Sequence, residues 1–279
     1  MRQVHWFGLL VLFQFLPLAN AQTMKVKESL NSIRDKAIEF VGTKRLDGKN
    51  AITFDTKFPL PNDPIKVDAS WSIQGCNQGR IRLALRVDDK KIEMTVVVNQ
   101  DEVWAIGPDG KIDNPRKSEA GAVKSLIRAI RFAQRPDYLS KTQFMLSLLP
   151  NEKVGKDESV GIAIAEKDHD TINLYFDVRT GRPLKAAVSV SMASKEGPEE
   201  LALVFMNYGE TFETTKKGKE KLTIKSFGKV IVYLEGRKLF EVPVTNIRQR
   251  EKLDPGLFTR PKKRSESPEV KKDKTPPSW

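Results

Sequence analysis

The sequence predicts an α+β domain built on antiparallel strands, and three observations predict it. Apolar and polar residues alternate over residues 80–106 and return in short runs from 161 to 249, joined by polar turns, as in antiparallel sheet. Apolar residues at three- and four-residue spacing over 24–41 and 118–149 mark helices. The sequence Arg179-Thr180-Gly181-Arg182-Pro183 is a tight turn, because Gly accepts positive φ and Pro presets its own φ.

Taken in order, residues 1–21 read as a secretory signal: Arg2, an apolar run over 6–18, then Ala19-Asn20-Ala21 as a small-residue cleavage site. No cysteine stands at that site, so lipidation is not expected and the product is periplasmic or secreted. The folded domain is expected over 22–261. A helix over 24–41 carries Val26, Leu30, Ile33, Ala37, Ile38 and Val41 on one face, and Gly42 ends it. Strands follow over 44–58, 65–73, 80–87, 92–98 and 102–106, with Pro59, Pro61 and Pro64 suited to an edge or a bulged crossing. A helix over 118–134 directs Val123, Leu126, Ile127, Ile130 and Ala133 one way and Lys124, Arg128 and Arg131 the other. A second helix is expected over 138–149, ended by Pro150.

The strands then resume. Leu201, Leu203 and Phe205 alternate with Ala202, Val204 and Met206, so this strand reads as central and covered on both faces. Residues 209–221 read as a polar connection, and 222–227, 230–234 and 239–249 as the last strands. Residues 262–279, basic and containing Pro and Ser, read as a disordered tail.

The chain carries a formal charge of +12. Such an excess attracts anionic lipid headgroups, acidic polysaccharide or nucleic acid, and export argues against the last. Cys76 is the single cysteine, so no intramolecular disulfide forms and a buried thiol is expected. Of two histidines, His5 lies in the signal and His169 in the polar turn Lys167-Asp168-His169-Asp170, which reads as a solvated loop. Gly-x-Ser-x-Gly, phosphate-binding glycine loops and metal-ligand spacings are all missing from the sequence. No catalytic set, metal or cofactor is expected.

The order of several short motifs resembles the periplasmic lipoprotein-carrier family, of LolA-like fold. They are Phe176-Asp177-Val178-Arg179-Thr180-Gly181-Arg182-Pro183, then Tyr208, Gly228-Lys229, Val244-Thr245-Asn246-Ile247, and the ending Leu253-Asp254, Phe258, Pro261. The resemblance is clearest over 160–261. It implies a strongly curved antiparallel sheet, an incomplete β-barrel with helices packed in its concave face as a lid, and acyl chains held between the two. Trp71, Leu83, Leu85, Met94, Val96, Phe176 and Phe205 are then wall candidates. Ile127, Phe144, Met145 and Leu148 are the candidates from the inserted helices. The family's lid-locking arginine finds stand-ins only in Arg82 and Arg86. The resemblance implies a carrier of lipid or lipoprotein acyl chains, with an anionic membrane surface as a further partner. An alternative is an envelope interaction module with a filled core that docks through its basic surface and tail; an exported hydrolase ranks last.

Overall fold

The computed structural model describes residues 29–43, 50–59, 65–87, 90–191, 198–214 and 221–261. The signal segment, the start of the first helix, the Pro61–Pro64 stretch and the tail lie outside them. Helix α1 is Leu30–Val41. Six strands follow: β1 Ala51–Pro59, β2 Lys66–Gln74, β3 Gln78–Val87, β4 Lys90–Asn99, β5 Glu102–Ile106 and β6 Ile112–Asp113. Helix α2 (Lys117–Gln134) and a 3₁₀ turn (Pro136–Ser140) lead to β7 Met145–Val154, β8 Asp157–Ala165, β9 Ile172–Asp177 and β10 Pro183–Ser191. Strands β11 Pro198–Thr214, β12 Lys221–Leu234 and β13 Arg237–Arg250 precede a last 3₁₀ turn at Pro255–Phe258.

Among the described residues the thirteen strands form one antiparallel sheet, ordered β6-β5-β4-β3-β2-β1-β13-β12-β11-β10-β9-β8-β7. Two meanders therefore meet where the first strand pairs with the last, and the sheet stays open at β6 and β7. Its bends have local causes. Between β1 and β13 the register slips by one residue near Asn246, whose φ is 54°, a bulge that sharpens the twist. In the β11–β12 ribbon Asn207 also takes φ 54°. Either side of it Phe205 and Tyr208 both reach Phe227, at ring distances of 4.8 Å and 6.3 Å. The kink thus turns residues of opposite parity to one side.

Two expectations about elements are corrected. Residues 145–149 belong to a strand: β7 pairs with β8 and slips register past Leu149. Pro150 fits there because β7 is an edge strand, where its missing N–H breaks no ladder. The apolar spacing that read as helical is a short edge strand with apolar residues on both faces. Residues 209–214 continue β11, and β12 runs unbroken through Gly228-Lys229. β1 is interior, between β2 and β13, but its ladder with β13 ends at Thr56 and Pro59 stands past it; Pro61 and Pro64 lie outside the described residues.

The Arg179–Pro183 turn fastens α1 to the sheet. The Asp177 carboxylate accepts hydrogen bonds from Arg179 N (3.1 Å), Thr180 N (2.7 Å) and Thr180 Oγ1 (2.7 Å), and Lys36 Nζ of α1 donates to Val178 O at 3.1 Å. Burial alone pushes the Asp177 carboxyl up, but the Thr180 hydrogen bonds and the Arg182 charge outweigh it, and the group stays below its ordinary range. A depressed carboxyl stabilises the fold fully above the unfolded-state range, and that contribution is lost as pH falls through the folded value. Asp177→Asn is expected to flatten the acid limb of a stability-versus-pH curve; an unchanged limb would place its origin elsewhere.

Candidate functional site

Residues paired directly across a ladder share a face, so the register identifies the concave side. Gly79 of β3 sets its sign: a Cβ there would lie 2.3 Å from Ile127 Cδ1 of α2, so this face meets the helix. From Gly79 the face continues as Ile81, Leu83 and Leu85 on β3, opposite Val96, Met94 and Ile92 on β4. On the other side it continues as Trp71, Ala69 and Val67 on β2 and then Phe54, Thr56 and Phe58 on β1. Phe58 stacks on Phe240 of β13 with centroids 5.4 Å apart. Trp71 stacks on Phe54 at 5.4 Å and donates from Nε1 to Thr56 Oγ1 at 2.9 Å.

The two halves of this face differ. Over β8–β12 it is a filled core in which Ile127, Phe176 and Phe205 are buried with Ile162, Leu174 and Val188 beneath α2. Over β1–β4 it is incompletely covered: Trp71, Leu83, Leu85, Met94 and Val96 are half-buried, as are Phe58, Ile92 and Phe240. Of the eleven apolar candidates, these first five form the open strip. Ile127, Phe176 and Phe205 are core. Phe144 is also core, 5.2 Å from Phe132 in an edge-to-face pair. Met145 and Leu148 are 69% and 51% exposed on the β7 edge and form no lid. Phe144→Ala is therefore expected to cost about 3–5 kcal/mol, whereas Leu148→Ser changes stability by less than about 0.5 kcal/mol. Urea titration of both variants checks the assignment.

The polar face expected on α2 is also corrected. Arg128 and Arg131 are buried, because the second half of the helix is packed on all sides. Arg128 Nη2 donates to Glu166 Oε2 at 2.8 Å and Nη1 to Asp170 O at 3.3 Å, which ties α2 to the turn after β8. Gln143 and Ser125 donate into the same turn, to Glu166 and Asp170. His169 is partly buried in this turn, 3.9 Å from Glu166, and is not the freely solvated side chain expected. Arg131 donates to Tyr138 Oη at 3.3 Å and lies over its ring, while Nε and Nη1 meet no acceptor among the described residues. Burial pushes the Arg131 guanidinium pKa down. Tyr138 in turn donates to Asn50 Oδ1, joining α2 to the start of β1.

Cys76 is buried in the β2–β3 turn, and burial pushes its thiol up to about 11 against the pull of Arg131 and Lys141. It is therefore a poor nucleophile at neutral pH. Arg82 faces away from the concave side and pairs with Glu93 at 2.6 Å, and Arg86 is exposed on the same outer face. Neither can hold a lid. The ending Leu253–Phe258 instead packs on the outer face, where Phe258 meets Trp104 and Val97.

These features define an open, strongly bent antiparallel sheet with one long helix inside it. A LolA superfamily protein from Nitrosomonas europaea superposes on this chain with a TM-score of 0.50 at 13% identity, over 81% of this chain and 97% of that one. The fold is LolA-like. A domain named for outer membrane lipoprotein sorting, from Vibrio parahaemolyticus, matches with a TM-score of 0.47 at 13% identity over 81% and 97% of the two chains. No family model and no curated protein matches the sequence. Among the described residues of this LolA-like chain, no group of three or more metal-ligating side chains assembles, and no helix is long and apolar enough to cross a membrane.

Phe58, Ile92 and Phe240 were missed as strip residues. Ile92 was legible in the alternation of β4. Phe240 was not, because only the β1–β13 pairing brings it beside Phe58.

Proposed function

We propose that this chain is an exported, non-enzymatic carrier or binding protein that holds the acyl chains of a lipid or lipoprotein against the open half of its concave face. One observation carries the reading: the half-buried strip of Trp71, Leu83, Leu85, Met94 and Val96, continuous with Phe58 and Phe240. A flexible acyl chain needs a dry apolar surface and no directional partner. Each buried methylene contributes about 0.8 kcal/mol, so a dozen supply on the order of 10 kcal/mol against the cost of association. Support for export is the charged, apolar and small-residue succession of residues 1–21.

The test is to produce the full chain with its own leader, purify it without detergent and extract it into organic solvent for mass spectrometry. An acyl species near one per chain is the expected result. A folded protein free of lipid would overturn the carrier reading. It would favour an envelope interaction module instead, a reading supported by the complete filling of the concave face over β8–β12.

A further inference from the structure

A second recess lies on the opposite face of the sheet. The register sets Tyr175, Lys185, Val204 and Ile231 in one row across β9–β12, with Ala202 and Tyr233 paired in the next. These are outer-face residues, since their neighbours Leu174, Ala186, Leu203 and Val232 enter the core. The row is not sealed: Tyr175, Ala202 and Ile231 are buried, but Lys185 and Val204 are half-buried. It floors a groove of about 1020 Å³, walled by the β7–β8 and β9–β10 turns, with Phe40 of α1 at one end. Met206 stands 37% exposed in it.

The lining decides what fits. Eleven of the twenty-five lining residues are charged, too many for an acyl chain, which would strip water from them without replacing it. An extended polypeptide suits such a mixture: its side chains alternate, apolar toward the floor and polar toward the walls. The sign of its charge follows from which groups are already engaged. Asp157 pairs with Arg182 at 2.6 Å, Glu152 and Glu200 both hold Lys185, and Asp177 is bound within its own turn. Lys153 pairs with Glu158, and Lys225 lies over the Phe40 ring at 4.9 Å, directly opposite Glu210 across the β11–β12 ladder. Lys156 and Arg179 are exposed and have no acidic partner among the described residues.

We propose that this outer groove binds an extended, acidic and partly apolar segment of a partner protein. It does so independently of the concave strip. Apolar side chains of the segment seat on Val204, Met206 and Ile231, and its carboxylates meet Lys156 and Arg179.

The experiment pans a random dodecapeptide display library on the purified full chain and measures the selected peptides by fluorescence polarisation. The expected peptides are enriched in Asp and Glu between apolar residues. Their binding should weaken at least tenfold in the Lys156→Glu/Arg179→Glu double variant, and fall as salt rises. Both positions are exposed, so circular dichroism should show the fold unchanged. Leu83→Asp/Met94→Asp, which alters only the concave strip, should leave peptide binding within twofold. No selection, selection without acidic enrichment, or equal binding to the charge-reversed variant would overturn the proposal. So would loss of binding in the concave variant, or displacement of the peptides by phosphatidylglycerol vesicles with failure to rebind.

Discussion

Alanine at position 181 is expected to destabilise the protein by about 2–5 kcal/mol. Gly181 takes φ 73°, and a Cβ there would lie 2.5 Å from the Lys36 carbonyl carbon and 2.7 Å from Ala37 N. The left-handed conformation alone costs an L-residue about 1–2 kcal/mol. The remainder is overpacking, typically about 1–3 kcal/mol, and here it meets helix backbone, which cannot rotate aside as a side-chain end can. The strain must push α1 off the turn and loosen the Lys36 contact to Val178. Thermal unfolding should show a drop of about 5–15 °C for a domain of this size, with hydrogen exchange accelerating in α1 first. A melting temperature unchanged within 2 °C would mean that α1 is not seated against this hairpin.

The second large effect falls on the ligand and not on the fold. Leu83→Asp/Met94→Asp places two carboxylates side by side on the concave face, since the two residues are direct ladder partners. Both positions are only half-buried, so the carboxylates keep access to water and stability should fall by about 1–3 kcal/mol. An acyl chain lying across them would have to desolvate both charges. Retained lipid, measured per mole of purified protein, should fall more than tenfold. Arg82→Ser, on the reverse of the same strand, should leave it unchanged. Equal lipid content in the concave variant would move the ligand off this strip.

The antiparallel sheet and both helical regions could be read because hydrophobic period is a local property. Residues 80–106 state their alternation plainly, and Ile81, Leu83 and Leu85 fall on one face as the period requires. Residues 138–149 misled for a physical reason: an edge strand carrying exposed Met145 and Leu148 has no clean alternation, and Leu-x-x-Leu spacings then imitate a helix. Arg128 and Arg131 misled because pattern reading assigns charge to solvent. The second half of α2 is enclosed on every side, and its cations bury against Glu166, Asp170 and Tyr138. The candidate site divided in the same way. Trp71, Leu83, Leu85, Met94 and Val96 follow from the family resemblance, and strand parity adds that Leu83 and Leu85 share a face, as do Met94 and Val96. Phe176 and Phe205 have the same local signature, and only the position of α2 over β9 and β10 makes them core.

The join between β1 and β13 also bears on how the chain reaches this state. Ala51 pairs with Arg250, 199 residues later in the chain, and among the described residues every other neighbouring strand pair is consecutive in sequence. Loop-closure entropy opposes that contact, and folding rates fall as contacts become more distant in sequence. The two meanders can each assemble as a unit, but until β13 arrives β1 is a nine-residue strand with one unpaired side, the kind of edge that recruits other chains. Folding should therefore show a late, rate-limiting docking of two preformed halves, and aggregation during refolding should start from the free side of β1.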